Sequence, residues 1–160
     1  MEGLLIGAVI LLLLALIGYN IRRKAKMAAQ QIGARDFATA IHKYGIPGVP
    51  DWALVRLYFT DEKVVIEYKK NRFELAYSHI LSVQAVNNGE VDISGHIFTG
   101  SGVVTINSGG QKTIKGHLLI LNYEKGHESK VLVFDIRNYY RAVQLAGFVE
   151  TRKSGQTISF

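Results

Sequence analysis

The chain has 160 residues, 48% of them hydrophobic, with a formal net charge of +6 and no cysteine. That length suits one ordinary domain with a sizeable core. The missing cysteine excludes a disulfide framework and thiolate metal sites. Mean hydropathy is +0.13, but much of the apolar weight lies in the first twenty residues. Setting aside Glu2 and the four bases Arg22, Arg23, Lys24 and Lys26 from the total of +6 leaves +3 for the rest, with both signs interspersed. That pattern argues against nucleic acid, whose binders concentrate Lys and Arg on one face.

In chain order, "GLLIGAVILLLLALIGYNI" from Gly3 to Ile21 carries no charge over 19 residues. As a helix it would be roughly 28 Å long, close to the hydrocarbon core of a bilayer. Charge follows the run in "RRKAK" instead of preceding it, the reverse of a cleaved secretory signal. The expectation is a single-pass anchor over 1–24 with its N-terminus outside and the C-terminal domain cytoplasmic. Arg22, Arg23, Lys24 and Lys26 then sit at the inner membrane surface, and Tyr19 is an interfacial aromatic. Gly3 and Gly7 form G-x-x-x-G, a spacing through which two such helices could associate.

Residues 25–50 read as a helical juxtamembrane linker. Phe37, Ala40, Ile41 and Tyr44 fall at i, i+3, i+4 and i+7, Gly45 stands where a C-cap glycine belongs, and Pro47 and Pro50 forbid continuation. From Trp52 the pattern changes to β-branched and aromatic runs broken by short turn signals. Strands are predicted in "WALVRLYF", "VVIEY", "FELAY", "ILSVQAV", "VVTIN", "GHLLILNY" and "SKVLVFDI", with "DISGHIFTGSG" as a long loop or frayed hairpin. Tyr139, Tyr140, Val143 and Ala146 or Gly147 recur at helical spacing and predict one closing helix. A β domain over 51–150 and a polar tail over 151–160, carrying Ile158 and Phe160, complete the layout.

The stretch "LYFTDEKVVIEYKKNRFELAYSHILSVQ", with Tyr77, Ile80 and Val83 in Y-x-x-I-x-x-V, resembles the opening of bacterial pleckstrin-homology-like (PH-like) domains. The closing stretch "HLLILNYEKGHESKVLVFDIRNYYRAVQLA" is similar to their last hairpin and helix. The resemblance covers Trp52 to Phe148. It implies a mainly β fold, a seven-stranded orthogonal sandwich or barrel capped by a C-terminal helix. Relatives with that fold often bind phosphoinositides through bases around the first strand pair. Here Asp61 and Glu62 occupy the first turn with Lys63 the only base, which argues against such a pocket. Lys69, Lys70 and Arg72 in the second turn are candidates for headgroup contact.

Motifs for chemistry fail. "SGGQKT" lacks the Lys directly after Gly that a phosphate loop requires, and "GSGVVT" leads into a strand with Thr105 where a third glycine belongs. His42, His79, His96, His117 and His127 are scattered, with no H-x-x-x-H pair. No nucleophile elbow is present. The sequence therefore predicts no enzyme, cofactor or metal, and a membrane-anchored interaction module that binds a protein partner in a membrane complex. Two alternatives stand beside it: an anionic-lipid or envelope-stress sensor, and an accessory or assembly subunit of a membrane enzyme.

Overall fold

The structure is a computed structural model and describes residues 2–92, 96–99, 102–105 and 113–155; side chains are described for most of these, but not for 2–5, 8, 21–22 and 88–113. Helix α1 runs Glu2–Ile32. Strand β1 is Asp36–Tyr44, β2 Leu54–Phe59, β3 Lys63–Tyr68 and β4 Asn71–Ala76; a 3-10 turn at Tyr77–His79 leads into β5, Ile80–Asp92. Then come β6, His96–Thr99, and β7, Gly102–Thr105, followed by β8, Thr113–Lys125, β9, Glu128–Asp135, and α2, Tyr139–Lys153.

Seven strands form one antiparallel sheet in the order β4-β3-β2-β1-β9-β8-β5, and β6 pairs with β7 as a separate hairpin. The number seven agrees with the sequence reading, but the membership does not. β1 replaces "VVTIN", part of which is β7 outside the main sheet. The expected helical linker is therefore corrected: "DFATAIHKY" is a central strand between β2 and β9. Ala38 and Ala40 point into the main core and Phe37 packs on the other face, the period of two that a strand imposes. The expected sandwich becomes one continuous hydrogen-bonded sheet. Both of its halves supply one core, in which Leu57, Phe59 and Ile66 meet Leu119, Leu121 and Phe134.

The membrane-crossing anchor is corrected as well. Among the described residues, no helix is long and apolar enough to cross a membrane. α1 does not end at the basic cluster but carries it internally and continues to Ile32. Its stop is Gly33, with φ at +71°. The Gly33 N–H donates to Gln30 O and the Ala34 N–H to Ala29 O, the paired bonds of a Schellman cap. Ala28, Ala29 and Ile32 then pack with Phe37, Tyr58 and Val65 on the outer face of the sheet. The seven-stranded antiparallel sheet and the C-terminal helix are consistent with a PH-like fold.

α2 closes one end. Asn138 caps it by accepting from the Arg141 N–H at 3.2 Å, and Ala142, Leu145 and Val149 are buried in the core. The same end gathers both helices on Asp61. Arg35 Nε donates to Asp61 Oδ2 at 2.9 Å and Arg152 Nη2 to Asp61 Oδ1 at 3.2 Å. These bonds, first Arg35 and then Arg152, hold the Asp61 carboxyl below the usual carboxylate range. A depressed carboxylate adds stability above its unfolded pKa, and the contribution is lost as pH falls through the folded value. We expect Arg35→Gln to raise the Asp61 pKa toward 3.8, as read from its carboxyl carbon shift during an NMR titration; an unmoved titration would contradict the assignment.

Candidate functional site

The end of the sheet opposite Asp61 is open, and three connections frame it: the β1–β2 segment, the β3–β4 turn and the β8–β9 turn. Between them lies a cavity of about 780 Å³. Ile66 from β3, Phe73 and Leu75 from β4, Leu132 from β9, and Ile46 and Pro47 give it an apolar floor and walls. Glu74, His79, Glu124, Lys125 and His127 supply polar groups around it. Glu74 is bonded to Lys63 Nζ at 2.6 Å. Tyr123 stands in the wall, and burial pushes its phenol up, so it remains a neutral donor through the physiological range. Among the described residues β4 is an edge strand, so one side of the cavity carries backbone groups with no described strand beside them.

The β1–β2 segment is shaped by a close approach and a buried ring. Gly45 has φ at +105°, and a Cβ there would stand 1.8 Å from Val131 O, so only glycine lets the chain pass. His42 is 2% exposed. Its Nε2 accepts from the Ile46 N–H at 3.2 Å, which leaves Nδ1 to donate to Pro50 O at 3.1 Å. One neutral ring thus pins both ends of the turn that walls the cavity. Beyond it, Trp52 takes φ of +70°, unusual for a bulky residue, and its N–H donates to His42 O at 2.7 Å. The indole is 70% exposed and Leu54 is 62% exposed. Lys43, buried, lies 3.1 Å from the centre of the indole ring and 3.7 Å from Asp135 Oδ2.

The predicted headgroup residues separate. Arg72 pairs with Glu67 at 3.4 Å, and Arg56 reaches the same carboxylate at 3.1 Å. Lys69 and Lys70 form the exposed turn, and among the described residues neither has a carboxylate partner. Lys69 Nζ lies 5.1 Å from the Tyr68 ring. Arg23, Lys24 and Lys26 are exposed on α1, and the Arg22 side chain lies outside the described residues. Gly7 has nothing within 4 Å of a built Cβ. Of the histidines, His79 and His127 meet at the cavity, while the His96 side chain lies outside the described residues. Among the described residues, no group of three or more His, Cys, Asp or Glu could hold a metal ion. Of "SGGQKT" only Thr113 is described, as the start of β8, and the tail residues Ile158 and Phe160 lie outside the described residues.

Sequence reasoning missed the cavity, His42 and Trp52. The cavity joins residues from Gly45 to Leu132, nearly ninety positions apart, which no local pattern announces. Trp52 had a signal that went unused: a lone tryptophan directly after "GIPGVPD", a segment whose prolines and glycines forbid its burial inside a regular element. No family model matches the chain, and no curated protein matches it.

Proposed function

We propose that this chain is a non-enzymatic interaction module held at the cytoplasmic face of a membrane, whose open end receives an extended segment of a protein partner. The observation that carries the reading is the cavity of about 780 Å³ lying beside the free edge of β4. An extended partner segment would add a strand to β4, satisfying its unpaired backbone groups, and set an apolar side chain against Phe73, Leu75 and Leu132. Main-chain pairing would supply affinity and the cavity the choice of side chain.

Membrane association is supported by α1. Ile6, Val9 to Leu14, Leu16 and Ile17 include nine large apolar side chains, each between 50% and 69% exposed. Exposed apolar area of this extent favours contact with a membrane surface. The bases after it suit a leaflet rich in anionic lipid, whose surface potential attracts basic segments. Confinement near the bilayer raises the effective concentration of any co-resident partner, so a modest interface suffices.

The test is site-specific photocrosslinking in cells with the full chain. A photoreactive residue at His127, on the cavity, is expected to capture a discrete protein adduct, whereas one at Gln144, exposed on α2, captures none. Equal labelling from both positions, or none from His127, would count against the reading.

A further inference from the structure

We infer that the open end of the β domain is itself a lipid-contacting rim, in which Trp52 and Leu54 enter the interface of an anionic bilayer and Lys69 and Lys70 meet its headgroups. The inference rests on the membrane reading above and adds to it a second point of contact, on the folded domain.

The placement follows from strand register. Val55, Leu57 and Phe59 face the main core, so Leu54, Arg56 and Tyr58 share the other face of β2. Tyr58 is the residue against which α1 packs. Arg56 stands opposite Glu67 in the β2–β3 ladder, and Leu54 on β2 and the Lys69–Lys70 turn after β3 both lie beyond that pair, toward the open end. On its other side Leu54 pairs with Ile41, and Trp52 follows against His42 and Lys43. Trp52, Leu54, Lys69 and Lys70 therefore occupy one end of the sheet.

α1 approaches the sheet from the opposite end. The Arg35 N–H donates to Phe59 O and the Arg35 side chain holds Asp61. Traced back from Ile32, the helix packs at Ala29 with Tyr58 and Val65, and a turn further on Ala25 is still buried. These contacts hold the last turns of α1 against the outer face of the sheet.

The chemistry of the rim matches an anionic interface. An indole and a leucine, both mostly exposed, offer apolar area with one polar handle, the composition of interfacial belts. The positive φ at Trp52 and the bond from its N–H to His42 O hold the indole outward at a conformational cost, a pattern that accompanies function. Lys43 beneath the ring is already occupied by Asp135, so it adds no competing free charge. Glu67 is neutralised by Arg56 and Arg72, and Asp51 is not free either. Lys69 and Lys70 are exposed there without a carboxylate partner among the described residues, while Glu124 and Lys125 are exposed on the β8–β9 side of the same end.

Trp52 is the only tryptophan in the chain, so its emission reports the rim directly. The full chain would be reconstituted with vesicles of phosphatidylcholine and phosphatidylglycerol whose acyl chains are brominated, and followed by flotation and fluorescence. We expect the chain to float, with Trp52 emission shifted to shorter wavelength and strongly quenched by the bromolipid. Leu54→Glu should abolish quenching without changing flotation, and each of Lys69→Glu and Lys70→Glu should lower the docked-to-undocked ratio about fivefold. A floating chain whose Trp52 keeps a water-exposed, unquenched emission overturns the rim while leaving the membrane reading intact. A chain that does not float overturns both. Equal quenching in phosphatidylcholine alone overturns the part assigned to the lysines.

Discussion

Gly45→Ala is expected to destabilise the β domain by roughly 4 kcal/mol or more, enough to leave much of the protein unfolded. Two costs add. A residue with a side chain is strained at φ of +105°, and its Cβ would have to occupy a point 1.8 Å from Val131 O and 2.9 Å from the carbonyl carbon. Neither obstacle is a side chain that can swing aside; both belong to the backbone of β9. The clash must move β9 against β1, whose pairing near Tyr44 and Val133 already shifts register. Gly48→Ala provides the contrast. It has φ of +76° but nothing within 4 Å of a built Cβ, so it carries the backbone strain alone, about 1 kcal/mol. Urea midpoints of the two variants separate the terms, and similar losses in both would refute the close approach.

The second large effect is expected at Phe59→Ala, at about 3 to 5 kcal/mol. Phe59 is fully buried, and its ring meets Phe148 of α2 edge to face at 5.9 Å. It joins the sheet to the closing helix at the end where the chain also enters from α1, since Phe59 O accepts from the Arg35 N–H at 2.8 Å. Truncation removes the ring from that junction and leaves a cavity beneath α2. Phe59→Leu, which keeps most of the volume, should cost less than about 1.5 kcal/mol. A Phe59→Ala variant with an unchanged thermal midpoint would show that α2 is not held there.

Much of the β domain was legible because its signals are local. "KVVIEY" and "NRFELA" alternate or run apolar between polar turns, and "KVLVFD" carries the hydrophobic weight of a buried strand; each became a strand where expected. β1 was not legible for a physical reason. "DFATAIHKY" contains two alanines, and its apolar residues satisfy a spacing of three and four as well as a spacing of two. Both periods fit, and the helical one gained support from Gly45 and Pro47 downstream. Gly33 was the true helix stop, while Gly45 answers to a contact with β9 that only the folded sheet creates. Lys69 and Lys70 were named from their charge, and they do not line the cavity. Trp52 and His42 were not named, because their roles depend on a strained turn and on two bonds to one buried ring.

The short link between α1 and β1 has a mechanical consequence. Only Gly33, Ala34 and Arg35 separate the last helical residue from the strand. β1 is an interior strand, with β2 on one side and β9 on the other. Tension applied to the helix would therefore enter the domain at the middle of its sheet. It could not unzip the structure strand by strand from an edge, but would have to tear two ladders at once. A domain tethered in this way can bear load through its tether, and transmit to its open end the position of whatever holds the helix.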